Sequence, residues 1–170
     1  MGENWVFGYG SLMWRPGFDH EERALARLHG WHRALCVYSW VHRGTQERPG
    51  LVLGLDRGGS CLGVAFRVPD AAWEDTVAYL RAREQVTMVY EERSLPVRLE
   101  DGSGRALRAL CYTVDRRHTQ YAGALDTAEQ ARFVLQGEGQ SGPTATMWRT
   151  PSRIWRKWRS ATGGWTPSPG

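Results

Sequence analysis

The 170-residue chain has no apolar run long enough to cross a bilayer and no basic-then-apolar stretch at its N-terminus. A membrane span and a secretory signal are therefore not expected. Cysteine is scarce. Cys36, Cys61 and Cys111 are odd in number, far apart, and outside any CxxC or Cys/His cluster, so they cannot all pair within the chain. They read as buried or half-buried thiols in a reducing compartment, which predicts a cytoplasmic protein. The histidines His20, His29, His32, His42 and His118 show neither HxH nor HExxH spacing, so no metal is expected. GK[ST] is missing, and so are GxSxG and any Cys–His pairing of the acyl-enzyme kind. No internal repeat is visible.

What is plentiful is tryptophan, with nine residues, and glycine, with 20. The net charge of +4 suggests a nucleic-acid partner at first sight. Its location argues otherwise. Arg149, Arg153, Arg156, Lys157 and Arg159 lie in 144–170, which holds no acid; removing them leaves 17 basic against 18 acidic residues in 1–143. The body is close to neutral, and neither a nucleic-acid nor a membrane partner is expected for it.

Short strand-like runs dominate the first two-thirds of the chain. Trp5-Val6-Phe7 stops at Gly8-Tyr9-Gly10-Ser11. Leu51–Leu55 and Cys61–Val68 flank Gly58-Gly59 and predict a hairpin. Asp70 has the look of a helix N-cap, followed by Trp73, Val77 and Leu80 at helical spacing. Further strands are expected around Thr87–Tyr90, at Leu95–Leu99 and, after the Asp101-Gly102 turn, at Ala106–Val114. Asp126 with Glu129 resembles a capping box for a helix through Leu135. Mostly antiparallel strands with two or three helices predict an α+β domain.

Two features carry possible chemistry. The glycine loop follows the first strand as a phosphate loop would, but the third glycine of GxGxxG is replaced by Met13. What remains is a tight turn whose backbone can approach a ligand and whose N–H groups suit an anion; a purely structural turn is the commoner role. Extending Trp73, Val77, Leu80 by four reaches Glu84, which places a carboxylate on the apolar face at the helix end. Burial would raise its pKa toward that of a useful general base. The plainer alternative is that Arg81 or Arg83 pairs with it at the surface. Arg43, in the polar loop Trp40–Thr45, suits a carboxylate ligand, although a solvated loop arginine is more common.

Together these segments form a pattern. WVFGYGSLMW at 5–14, HRGTQERPG at 42–50, GGSCLGVAFRV at 58–68, YLRAREQVTMVY at 79–90 and QYAGALDTAEQA at 120–131 resemble, in order, the ChaC-like glutathione-specific γ-glutamylcyclotransferases over roughly 5–143. The resemblance implies that family's fold, a mostly antiparallel, barrel-like sheet with a few flanking helices. It implies glutathione as substrate, cleaved to 5-oxoproline and Cys-Gly without a cofactor. It implies Glu84 as the catalytic carboxylate and a substrate loop of Val6, Phe7, Gly8, Tyr9, Gly10, Ser11 and Leu12. Tyr121 is expected near the pocket, with His42 and Arg43 at its rim. Met88 departs from the pattern, since bacterial relatives often carry Gly or an aromatic residue there. The oligomeric state is left open.

After Ser141-Gly142-Pro143 the resemblance ends. Residues 144–170 hold four tryptophans, no helical apolar stripe, and Pro151. With synonymous codons chosen freely, the frame one base upstream of 144–158 reads NRDYVENTVAHLEEV, and its continuation reads EICDRWLDAIAR. That is an amphipathic sequence of the family's kind, so 144–170 is expected to be a frame-shifted C-terminus and the domain to be 1–143, incomplete at its C-terminal end. Two other functions stay open: a cyclotransferase for a different γ-glutamyl amide, or a non-enzymatic binder of nucleic acid or membrane through the basic tail.

Overall fold

A computed structural model of the chain describes residues 3–144. Strands β1 (Asn4–Gly8), β2 (Glu22–Ser39), β3 (Gly50–Val68), β4 (Tyr90–Leu99) and β5 (Ala106–Val114) close into a barrel in the order β1-β3-β2-β4-β5. Neighbours are antiparallel where register is set, as in β1 on β3 (Asn4↔Val68 to Gly8↔Val64) and β4 on β5 (Tyr90↔Val114 to Arg98↔Ala106). The barrel closes through a parallel contact of β1 with β5 at Val6↔Leu110. Closure leaves no free sheet edge. With helices α1 (Trp73–Glu84) and α2 (Thr127–Gln136), this is the expected α+β, barrel-like architecture.

The described residues divide into two compact units. The first comprises residues 3–37 and 53–125, the second 38–52 and 126–144. In the first unit the alternation of a strand explains why Trp5, Val6 and Phe7 of β1 are all apolar. Trp5 and Phe7 point into one core with Leu28, Leu55, Val97, Leu99 and Cys111, while Val6 joins a second core with Leu12, Val68, Leu80 and Tyr112. Cys36, Cys61 and Cys111 are free and buried. The second unit holds α2 and the short pair β6 (Glu138–Gly139) and β7 (Gly142–Pro143), with Tyr38 and Phe133 packed edge to face. Its capping box is present in both halves: the Asp126 carboxylate accepts from the Glu129 N–H at 2.8 Å and the Glu129 carboxylate from the Asp126 N–H at 3.2 Å.

Three local expectations are corrected. The runs flanking Gly58-Gly59 are one strand, β3. The two glycines, at φ 103° and 66°, lie inside a continuous strand and not at a hairpin reversal. Asp70 is not a side-chain cap. It begins a 3₁₀ turn, Asp70–Ala72, and its carboxylate accepts from the Asn4 amide at 2.9 Å, leaving Ala72 as the N-cap of α1. The strands expected at 87–90 and 95–99 are a single strand, β4, preceded by the loop 85–89. Met88 in that loop has φ 61° and is 62% exposed. This left-handed conformation favours Gly at the position and is strained for Met. Strand β2 was not anticipated. Its sequence mixes Arg, Ala and Leu, which are helix formers by propensity, and only its neighbours β3 and β4 hold it extended. Beyond Thr144, the tail expectation lies outside the described residues.

Candidate active site

Everything central to the site lies in the first unit. β1 ends at Gly8, and the chain turns through Gly10 into a single 3₁₀ turn, Ser11–Met13. The turn is closed by the N–H groups of Met13, bonded to the Gly10 carbonyl at 3.0 Å, and of Trp14 and Arg15, bonded to the Ser11 carbonyl at 3.2 and 2.8 Å. Val6, Phe7, Tyr9 and Leu12 are buried. Their side chains build the core, so only their backbone remains to meet a ligand. The two loop glycines differ. A Cβ on Gly8 would sit 2.9 Å from Leu12 Cβ, whereas a Cβ on Gly10 would meet nothing within 4 Å. Gly8 is required by packing; Gly10 borders open space.

Two arginines grip this loop from different elements. From β2, Arg33 donates to the Tyr9 carbonyl at 2.6 Å and to the Leu62 carbonyl at 2.9 Å. From the last turn of α1, Arg83 donates through Nη2 to Ser11 Oγ at 2.7 Å and through Nη1 to the carbonyls of Arg15 at 2.7 Å and Pro16 at 3.4 Å. Nη1 also donates to the Tyr79 hydroxyl at 2.9 Å.

Glu84 is the last residue of α1. Thr76 and Leu80, the buried positions of the helix, precede it at steps of four, so its carboxylate follows the core-facing stripe. Its side chain is 19% exposed. Burial pushes the carboxyl above its ordinary pKa, and the Arg83 guanidinium, with Nε 3.3 Å from Oε1, pulls it back in part. Both readings of Glu84 are thus realised: it faces inward, and Arg83 pairs with it. Arg81 instead makes a bidentate pair with Glu92, at 2.8 Å for each bond. The Glu84 charge is felt by three phenols, Tyr9 from the loop, Tyr90 from β4 and Tyr112 from β5, all pushed up first by their own burial. Tyr90 donates to the Leu53 carbonyl at 2.8 Å. These tyrosines stay protonated at neutral pH and act as neutral donors.

Tyr121 belongs to a separate polar cluster of the same unit. Its hydroxyl donates to Asp56 Oδ2 at 2.7 Å, while Arg116 Nε and the Arg57 N–H donate to Oδ1 at 2.6 and 2.8 Å. Burial raises the Asp56 pKa, but the Arg116, Tyr121 and Arg57 donors outweigh it and hold the carboxyl below its ordinary value. The Tyr121 phenol is pushed up to about 12 by burial and its acidic neighbour. Cys36 is within electrostatic reach of both groups, Tyr9 and Tyr90 on one side and Asp56 and Tyr121 on the other.

His42 and Arg43 lie in the second unit and make their contacts there. Arg43 Nη1 donates to the carbonyls of Ser141 at 2.6 Å and Pro143 at 3.1 Å. The Arg43 carbonyl accepts from Thr144 Oγ1 at 2.9 Å, and His42 Nδ1 lies 3.3 Å from Ser141 Oγ. Among the described residues no group of three or more His, Cys, Asp or Glu could hold a metal ion, and no helix is long and apolar enough to cross a membrane. Sequence reasoning missed Tyr90, Asp56, Arg116 and the loop-holding role of Arg83, because each acts through a partner distant in sequence.

The fold is similar to that of the crystal structure of a glutathione-specific γ-glutamylcyclotransferase from yeast. The TM-score is 0.79 at 22% identity, covering 90% of this chain and 88% of that one. The barrel is therefore a γ-glutamylcyclotransferase fold. The family model described as ChaC-like protein matches residues 4–150, and the chain belongs to that family. It is 36% identical over 144 residues to the glutathione-specific γ-glutamylcyclotransferase of Escherichia coli K12, covering 85% of this chain and 62% of the relative. It is 31% identical over 140 residues to glutathione-specific γ-glutamylcyclotransferase 1 of Homo sapiens, covering 81% of this chain and 63% of that protein. The chain thus spans under two-thirds of the length of these relatives.

The Tyr121–Asp56 bond makes a pH-dependent prediction. Asp56 has a depressed pKa in the folded state, so its contribution to stability is present above the unfolded carboxylate value and is lost as pH falls through the folded one. Tyr121→Phe removes one of the bonds responsible. It should cost about 1.5–3 kcal/mol at pH 7, the usual worth of a hydrogen bond to a charged group, and the gap from the parent chain should close as Asp56 protonates. Urea unfolding at pH 7 and pH 3 measures both.

Proposed function

We propose that the chain is a glutathione-specific γ-glutamylcyclotransferase, with Glu84 as the proton-transfer group and the Gly8–Leu12 backbone as the seat of the γ-glutamyl end. The observation that carries this reading is the half-buried Glu84 carboxylate, its pKa raised, joined through one arginine to an open glycine turn. The names of the E. coli and human relatives support it.

The chemistry asks little of the protein. The α-amine of the substrate attacks its own γ-carbonyl carbon. A five-membered lactam C–N bond forms and the amide bond to cysteine breaks, giving 5-oxoproline and Cys-Gly. Because the nucleophile is tethered, most of the entropic demand reduces to holding the substrate folded. Glu84 takes the proton released by the α-ammonium group and returns it to the departing amine, for which a raised carboxyl pKa is well suited. Backbone N–H groups of the glycine turn stabilise the developing oxyanion, with buried tyrosine hydroxyls around them. In this reading Tyr121 acts through Asp56 and not on substrate. The protein is cytoplasmic and cofactor-independent, with a small molecule as its partner and neither nucleic acid nor a membrane. A second reading keeps the loop and Glu84 but takes another γ-glutamyl amide; 38% identity to a relative named simply γ-glutamylcyclotransferase 2-1, from Arabidopsis thaliana, supports it.

Residues 144–170 are, in the same proposal, a shifted reading of a C-terminal segment of the family's kind. Thr144 is buried and donates to the Arg43 carbonyl, and the alternative frame places Asn there, whose amide donates equally well. The family match runs to 150, a little past this boundary.

Incubation with glutathione should release 5-oxoproline and Cys-Gly, and Glu84→Gln should lower turnover by roughly 10²–10⁴. Retention of more than about a tenth of the activity would remove Glu84 from the role. A Cβ on Gly10 meets nothing within 4 Å, so Gly10→Val should fold normally yet raise KM; an unchanged KM would make the turn structural only. Sequencing the encoding DNA tests the tail, which should read NRDYVENTVAHLEEV one base upstream.

A further inference from the structure

Glu84 and Arg83 are successive residues of a helix, about 100° apart around its axis, and successive side chains of a helix do not face one another. Their ion pair is therefore not a by-product of sequence adjacency. Glu84 continues the buried stripe of Thr76 and Leu80, whereas Arg83 leaves the helix on another side with only 23% of its side chain exposed. Its guanidinium then meets Glu84 with Nε, the Arg15 and Pro16 carbonyls and the Tyr79 hydroxyl with Nη1, and Ser11 Oγ with Nη2. All three nitrogens of one rigid plane are engaged, and they reach the carboxylate and the turn that follows the glycine loop at the same time. Arg33 holds that loop from β2, its bonds running to the Tyr9 and Leu62 carbonyls and to Met13 Sδ.

We infer that Arg83 is a positioning residue whose planar guanidinium fixes the Glu84 carboxylate relative to the glycine loop, so that proton acceptor and backbone donors keep one spacing. The inference rests on the proposed reaction but can fail separately from it. A lysine could supply the charge at this position but not the fork that spans both partners. Displacing the loop from the base by about 1 Å is enough to cost on the order of 10²-fold in rate. The charge of Arg83 also opposes the effect of burial on Glu84. The other titratable groups facing Glu84 are the phenols Tyr9 from the loop, Tyr90 from β4 and Tyr112 from β5, which are neutral near pH 7 and leave Arg83 as the cation acting on it.

The test compares Arg83→Gln, Arg83→Lys and the control Arg81→Gln, which removes a charge from the same helix turn but pairs with Glu92 and not Glu84. Two readouts are needed: kcat and KM for glutathione across pH, and the ¹³C titration of the Glu84 carboxyl, assigned by its loss in Glu84→Gln. A base must be deprotonated to act, so a higher Glu84 pKa moves the acid limb of kcat/KM to higher pH. Arg83→Gln should move that limb and the NMR midpoint up by about one pH unit and lower plateau kcat on the order of 10²-fold. Arg83→Lys should largely restore the limb and leave kcat low; Arg81→Gln should change neither. An Arg83→Gln chain with the parent limb and midpoint, or an Arg81→Gln chain shifted equally, overturns the inference. If Arg83→Gln does not fold, a parental kcat in Arg83→Lys overturns it. If the parent chain itself turns over no glutathione, the proposed reaction falls, and the NMR midpoint alone decides the coupling: raised in Arg83→Gln supports it, unchanged refutes it.

Discussion

Where α1 ends, Glu84 loses most of its contact with water, and one cation, Arg83, offsets part of the cost of that desolvation. Most of the surrounding arrangement answers to this. Leu80, one helical turn earlier, is anchored in the core beneath β1, which fixes the depth at which the carboxylate sits. The phenols Tyr9, Tyr90 and Tyr112 lie within electrostatic reach of it and, being raised in pKa by burial, add no charge at neutral pH. A surface carboxylate would need none of this support. A fully buried and unpaired one would simply stay protonated. The half-buried, singly paired state lies between these limits, where a carboxyl group can both take up and return a proton.

The glycine loop meets the opposite demand. Its side chains are absorbed into the core, its turn is closed by its own backbone, and its position is set by guanidinium groups arriving from β2 and α1. Rigid elements therefore hold a segment that has little packing of its own to spare. The barrel makes this possible because its closure brings β1, the start of the loop, between β3 and β5.

Local signals in the sequence were legible where their partners are also local. Asp126 and Glu129 satisfy one another across three residues, and α2 begins where they say it should. The step from Leu80 to Glu84 required only a helix, and it held even though Thr76, not Val77, proved to be the buried neighbour. Where the deciding partner is distant, the same signals misled. Asp70 resembles a cap but bonds Asn4, 66 residues away. Gly58-Gly59 suits a reversal, yet β3 runs on through it between its neighbours β1 and β2. Tyr121 was marked only by family resemblance, since nothing near it in sequence announces Asp56.

The three buried thiols gain a meaning from the proposed substrate. Thiol–disulfide exchange requires a thiolate, and burial pushes Cys36 up to about 12 and raises Cys61 and Cys111 as well. At neutral pH Cys36 stays a thiol, and its burial shields it from collision. Glutathione is itself a thiol, and an accessible protein thiolate attacks its disulfide form, leaving a mixed disulfide and releasing one glutathione thiolate. With all three of its thiols buried, the chain offers such a disulfide no ready partner, so the redox state of the proposed substrate's pool would leave its cysteines unmodified.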